Sequence, residues 1–329
     1  MKKVLIAIDE FANSSNEPIS LLKQNGFEVI FNTSKKPLDF KKSSDLYSDV
    51  SYVIAGLESY PEEFFKSYHN ILAISRVGVG TDSINLSAAK QHNTKIFITS
   101  DKPSVSVAEL CISNMISILR KTFVMNDDLK KGIWRPIQGR DLRDATIGIV
   151  GLGSIGKQVA SRVKCFGSKI IAYSRTWDDE FAIKNKIKRK TIQEVFCESD
   201  IITIHLPLTN ETTNIISSEL IKSCRHSAII LNTSRAGVVD NTALAMALKN
   251  KMIYGAALDV FDEERDTYPY TNLDNVILTP HIGSHTYETR RAMELMAAQN
   301  IIEYESLNYL SDPDKIREVL AYIEKHSVL

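Results

Sequence analysis

Thr146-Ile147-Gly148-Ile149-Val150-Gly151-Leu152-Gly153-Ser154-Ile155-Gly156 decides how this 329-residue chain is read. A short apolar run enters a Gly-x-Gly-x-x-Gly turn. Ile155, Val159, Val163 and Phe166 then recur at helical spacing, giving a helix one face to pack on a sheet. Ile170-Ile171-Ala172-Tyr173 supplies the next apolar run and completes a β-α-β unit. Each glycine has its own task in such a unit. Gly151 permits the tight turn, Gly153 lets backbone approach a pyrophosphate, and Gly156 lets the helix lie against the strand. Ser154 and Ile155 open the helix, whose free N–H groups and positive dipole end attract phosphate. The stretch predicts a dinucleotide site.

Working outward, the length suits two domains. Hydrophobic content of 43% is that of an ordinary globular protein, and 40 basic residues offset 40 acidic ones. No global field therefore draws the chain to nucleic acid or to an anionic membrane. The opening Val4–Ile8 run ends at Asp9-Glu10, too early for a secretory core, and nothing is long enough to span a bilayer. A cytoplasmic protein is expected. Cys111, Cys165, Cys197 and Cys224 lie far apart with no C-x-x-C pair, so they read as buried small hydrophobes, and no metal site is expected.

Residues 1 to about 100 alternate apolar runs with helical segments. Strands are expected at Val4–Ile8, Phe27–Phe31, Tyr52–Ala55, Ile71–Ser75 and Lys95–Ile98, forming an open parallel α/β domain. A long apolar helix is expected from Val105 to about Leu129, either a core helix or one shared between domains or subunits. Its residues Val105, Leu110, Ile112, Met115, Ile116 and Leu119 exceed what one face requires. The central region predicts six strands: Thr146–Val150, Lys169–Tyr173, Asp200–Leu206, Ala228–Asn232, Tyr254–Val260 and Val276–Leu278. With helical crossovers these suit a doubly wound sheet. A final amphipathic helix, about Thr286–Leu307, leads to a charged tail expected to dock on the first domain.

Ligands of doubly wound sheets bind beyond the carboxyl ends of the strands. Those ends carry Asn232–Asp240, Asp259–Glu264 and Pro280–Ser284, and so offer Arg235, an acidic cluster and His281. The combination suits hydride exchange with a carbonyl. A histidine moves the hydroxyl proton, a glutamate holds it, and an arginine grips an anionic oxygen.

At this point the sequence resembles the D-2-hydroxyacid dehydrogenase family, most closely its D-3-phosphoglycerate-dehydrogenase-type branch. The resemblance rests on Ser75–Asp82, Ser106–Leu110, Gly151–Gly156, Asn232–Asp240, Ala257–Phe261 and Leu278–Gly283, in family order. It implies an α/β fold of two doubly wound parallel-sheet domains. A Rossmann nucleotide-binding domain (103–287) would be inserted into a flavodoxin-like substrate-binding domain (1–102 and 288–329). Arg235 would bind the substrate carboxylate and carbonyl, Glu264 would pair with the acid/base His281, and Asp259 would hold the nicotinamide carboxamide. Arg76, Gly78, Val79 and Gly80 would receive the substrate carboxylate. His205, Pro207, Thr212, Thr233, Ser234 and Gly283 would line the cofactor. The long helix would help form a homodimer.

Competing assignments remain. Arg265 stands where the family has proline after the glutamate, so Glu263 competes with Glu264; His205 and His285 compete with His281. Asp240 reads as a helix cap. The phosphoglycerate branch often supplies arginines after the third strand, where this chain reads Gly56-Leu57-Glu58-Ser59; phosphoglycerate itself is therefore not expected. The chain ends at Leu329, and serine-type feedback is not expected. The substrate is read as a small D-2-hydroxy acid or its 2-keto partner. A corepressor-like dinucleotide sensor is the alternative, disfavoured by the lack of long disordered arms. NAD sites place a carboxylate at the end of the second strand. Ser174 stands there, followed by Arg175, which favours NADPH. In the competing reading Asp178 or Asp179 swings back to the ribose.

Overall fold

The computed structural model describes residues 2–8, 10–34, 36–261 and 269–329. The chain divides into two compact units, Met1–Pro103 with Thr286–Leu329, and Ser104–His285.

The first unit opens with β1 (Lys2–Ile6), α1 (Glu17–Gln24), β2 (Phe27–Phe31), α2 (Ser44–Ser48), β3 (Tyr52–Ala55), α3 (Glu62–Ser67), β4 (Ala73–Arg76), α4 (Leu86–Gln91) and β5 (Lys95–Ile98). All five strands pair in parallel in the order β2-β1-β3-β4-β5. This is the flavodoxin-like doubly wound order. β3 and β4 are buried throughout, because crossover helices cover both faces of such a sheet.

The second unit begins with α5 (Ser104–Arg120) and α6 (Thr122–Lys130), then runs β6 (Thr146–Val150), α7 (Ser154–Cys165), β7 (Lys169–Tyr173), α8 (Asp179–Asn185), β8 (Ile187–Arg189), α9 (Ile192–Glu198), β9 (Ile201–Ile204), α10 (Ser218–Lys222), β10 (Ile229–Asn232), α11 (Asn241–Lys249), β11 (Gly255–Leu258) and β12 (Val276–Leu278). Its parallel sheet has the order β12-β11-β10-β9-β6-β7-β8. The order reverses beside β6, between β7 and β9, which makes the carboxyl end of β6 the switch point where a ligand sits. Two apolar clusters cover its faces, one around Ile147, Ile149 and α5, the other around Val150, Ile204 and α11.

Three expectations need correction. The sheet has seven strands among the described residues, not six, because Ile187–Arg189 adds an edge. The long helix is two: Lys121 takes φ +53° and ends α5 before α6 begins. Of its apolar residues, Met115 and Leu119 are buried in the unit's own core, while Val105 is exposed and Leu110, Ile112 and Ile116 are half-buried. Only Cys111 of the four free thiols is fully buried, while Cys165 and Cys197 are exposed.

The chain then returns to the first unit as α12 (Tyr287–Ser306) and α13 (Pro313–His326). α12 is not simply amphipathic. It buries Glu294, Asn300 and Glu305 beside Met293, Ala297 and Ile301, and each polar group finds a partner. Asn300, for example, donates to Ser75 Oγ at 3.2 Å and accepts from Tyr322 of α13 at 2.9 Å. The tail closes on β5, where Ser327 bridges Phe97 and Val328 N–H donates to Ile96 O at 3.0 Å.

Candidate active site

β6 feeds Gly151 at φ +99°, a state that favours glycine. Its N–H donates to Tyr173 O at 2.8 Å, and an added Cβ would lie 2.5 Å from His205 O. A Cβ on Gly156 would meet Gly151 O at 2.1 Å, so bulk there would push α7 off the turn. Gly153 differs from both: it has ordinary φ, and a Cβ would meet nothing within 4 Å. It is the N-cap of α7, and it lies exposed with Ser154 at the start of the helix, where the first-turn amides have no partner within the helix. That opening over a helix N-terminus fits a pyrophosphate.

Ser174, half-buried, and Arg175, exposed, follow β7. Asp178 does not reach back toward them. It caps α8 through Phe181 N–H at 2.9 Å and pairs with Lys157 at 2.6 Å. The Lys157 bond, then the Phe181 amide, hold its carboxyl below the usual range. Asp179 lies in the first turn of α8.

The remaining groups stand at successive strand ends. After β9, Thr212 Oγ1 donates to Pro207 O at 2.6 Å and accepts from Thr209 N–H at 2.8 Å, folding its own loop. His205 Nε2 lies 2.9 Å from Thr203 Oγ1, and its Nδ1 is shut away from solvent. Burial lowers its pKa to about 3, so the imidazole is neutral near pH 7. After β10, Asn232 Oδ1 accepts from Ser234 N–H at 3.0 Å and from its hydroxyl at 2.8 Å, while Nδ2 donates to Arg235 O at 2.9 Å. This Asx-type turn presents Arg235, whose Nη1 donates to Ser234 O at 2.8 Å. Thr233 is buried, 3.4 Å from Cys111 Sγ. Asp240 caps α11 through Ala243 N–H at 2.9 Å. After β11 comes buried Asp259, and after β12 the exposed His281 at φ +55°, with Gly283 buried. Glu264 and its competitor Glu263 lie outside the described residues. His285 is exposed beyond the turn.

In the first unit, Arg76 ends β4 and is buried, its Nη1 donating to Val77 O at 3.2 Å. Gly78 at φ +139° leaves room for that guanidinium: a Cβ would sit 1.6 Å from Nη1. Gly78 N–H donates to Thr99 Oγ1 at 2.8 Å, and Val79 and Gly80 follow at the surface of the loop. Glu58, also buried, folds over the neighbouring strand end and accepts from Gly56 N–H at 2.6 Å. Sequence reasoning missed the roles of Asn232, Thr99 and Thr203. Only Asn232, in an Asn-Thr-Ser turn pattern, carried a usable signal.

A doubly wound sheet with a glycine turn at its switch point, and arginine and histidine after β10 and β12, is an arrangement suited to a nucleotide-dependent oxidoreductase. Residues 112–283 match the family model described as D-isomer specific 2-hydroxyacid dehydrogenase, NAD binding domain. The chain belongs to the D-isomer specific 2-hydroxyacid dehydrogenase family. It is 35% identical to a glyoxylate reductase of Pyrococcus furiosus over 87% of this chain and 88% of that one. It is 36% identical to a D-3-phosphoglycerate dehydrogenase of Methanocaldococcus jannaschii over 87% of this chain, but spans only 55% of that longer protein. The NAD+-bound 3-phosphoglycerate dehydrogenase of Entamoeba histolytica superposes with a TM-score of 0.80 at 28% identity, covering 94% of this chain and 97% of that one. The protein is thus an oxidoreductase acting with a nicotinamide cofactor on the CH–OH group of 2-hydroxy acids. Nothing in these relatives favours the corepressor-like alternative. Among the described residues no helix is long and apolar enough to cross a membrane.

Proposed function

We propose that the chain reduces a small, unphosphorylated 2-keto acid to the D-2-hydroxy acid, with NADPH preferred over NADH. The observation carrying the reading is the placement of Arg235 and exposed His281 at strand ends of the sheet whose Gly151–Gly156 turn opens on a helix N-terminus. The nicotinamide cofactor supplies the hydride to C2. His281 gives the proton to the carbonyl oxygen, Glu264 holds His281, and Arg235 grips carboxylate and developing alkoxide. His205 is poorly suited to the proton transfer, being neutral and bonded to Thr203. The Val79 and Gly80 amides receive the substrate carboxylate, with Arg76 packed beneath Gly78.

The amides of Ser154, Ile155 and Gly156 take the pyrophosphate, and the His205, Pro207, Thr212, Thr233, Ser234 and Gly283 positions line the cofactor. Asp259 keeps one carboxylate lone pair for the carboxamide. NADPH preference is supported by Ser174 and exposed Arg175 at the end of β7, with Asp178 committed to Lys157. Buried Glu58, with no cation in its loop, argues against a phosphate-bearing substrate. Exposed Val105 and Phe166 and half-buried Ile112 and Ile116 give the α5–α7 face an apolar surface suited to a two-fold dimer. Four free thiols suit the cytoplasm.

The test is nicotinamide absorbance with glyoxylate, hydroxypyruvate, pyruvate and 3-phosphohydroxypyruvate, each with NADPH and NADH. Turnover of an unphosphorylated acid with NADPH is expected. No turnover with any acid, or fastest turnover of the phosphorylated one, overturns the reading.

A further inference from the structure

Asp259 stands just past β11 and is 1% exposed. Its carboxylate commits three acceptor positions to the segment after the neighbouring strand, β12. Oδ1 accepts from the Thr279 hydroxyl at 2.6 Å and from Ile282 N–H at 2.9 Å; Oδ2 accepts from Gly283 N–H at 2.8 Å. The three donors bracket His281 in sequence. His281 itself has φ +55°, a left-handed state uncommon for a residue with a side chain, although histidine is among those that adopt it most. Its own N–H donates to Thr279 O at 3.0 Å, inside the same bracket. The turn is closed tightly: a Cβ on Gly283 would lie 3.1 Å from Asp259 Oδ2 and 3.2 Å from Val107 Cγ2. A carboxylate suits this task because it accepts at about four sites and donates at none.

We infer that Asp259 is a positioning residue: it holds residues 279–283 in the left-handed turn that aims the His281 imidazole. The inference rests on reading His281 as the acid/base, and it adds to the carboxamide contact proposed for the remaining lone pair.

The experiment is a double-mutant cycle on kcat. Asp259→Asn keeps the shape but sets an NH2 group against a backbone N–H or the Thr279 hydroxyl. Effects of residues acting as one unit are strongly non-additive, so the loss should be about thirty-fold or more in the native background and under about three-fold in His281→Ala. Cofactor affinity, followed by protein fluorescence, is read in Thr279→Val, which leaves the Asp259 carboxamide contact in place, and should move there by less than about three-fold. Equal losses in the two backgrounds, or a fall in cofactor affinity that accounts for the whole effect, overturn the inference.

Thr279→Val removes one anchor and keeps the Asp259 charge, which covers failure of the Asn variant to fold. It should show a smaller loss with the same dependence on His281, and a loss undiminished in His281→Ala overturns the inference. Histidine-selective NMR of the cofactor-free protein gives a readout that does not depend on turnover. The His281 ring signal should shift or broaden in Thr279→Val while that of His205 stays in place. An unchanged His281 signal overturns the inference even if the enzyme is active. If the native protein reduces no 2-keto acid, the functional reading fails while the NMR still decides whether the turn is held.

Discussion

Two histidines stand at strand ends of one sheet and differ in almost everything that matters to proton transfer. His205 follows β9, its Nε2 at Thr203 Oγ1 and its Nδ1 sealed from solvent, and burial pushes its pKa down to about 3. His281 follows β12, exposed, in a left-handed backbone state bracketed by the three bonds of Asp259. Desolvation makes the first a neutral structural wedge beside the Gly151 turn. Access and a fixed backbone are what the proposed acid role of the second requires. Residue type alone does not separate them; environment does.

The largest effect should come from His281→Ala. General acid/base groups contribute about 10²–10⁴ in rate, so turnover should fall by that much while cofactor affinity stays within a few-fold. More than half the native turnover would move the role to His205 or His285. Arg235 should follow closely. Removing one donor to a developing oxyanion costs roughly 10²–10³ in kcat, so Arg235→Ala should raise KM and lower kcat together. Arg235→Lys should not rescue it, because lysine lacks the planar fork. A change confined to cofactor affinity would contradict the assignment.

A middle-sized effect belongs to the end of β7. One charge-assisted bond from Arg175 is worth roughly 1.5–3 kcal/mol, about ten- to a hundred-fold in affinity. NADPH should therefore exceed NADH by at least several-fold in kcat/KM, and Ser174→Asp should reverse the order. Equal or better use of NADH by the native protein would show that Arg175 does not reach the adenosine ribose.

These residues were not equally legible. The glycine turn could be read because its constraints are steric and local: a Cβ added at Gly151 or Gly156 would lie 2.5 Å or 2.1 Å from a backbone oxygen. The Asp240 cap was likewise local. β8 escaped because three residues, two of them exposed and basic, make no apolar run. The break at Lys121 escaped because apolar Phe123 and Val124 continue the pattern across it, and only the backbone angle reveals the stop. The Asp259 clamp was invisible for a different reason. Two of its three partners are backbone N–H groups, which leave no trace in side-chain identity.

The smallest activity effect should be at His205. His205→Asn should keep turnover within about three-fold, since the ring carries no proton in the reaction. Its signature is in stability. The folded-state pKa of about 3 lies below the ordinary 6.5, so the unfolded chain takes up a proton in that interval that the folded chain refuses. Stability therefore falls as pH drops from about 6.5 toward 3 and is untouched above it. Denaturant titrations across that window should show a shallower acid loss in His205→Asn. An identical slope would mean that His205 is not buried neutral.

The pH dependence of kcat/KM for 2-keto acid reduction, in the native protein and in both histidine variants, tests the central contrast most directly. Reduction needs a protonated donor, so the native rate should fall as pH rises through the ionisation of that donor. The same limb should persist in His205→Asn and vanish in His281→Ala, leaving a low, flat residual rate. A limb that survives in His281→Ala, or disappears in His205→Asn, would contradict the account.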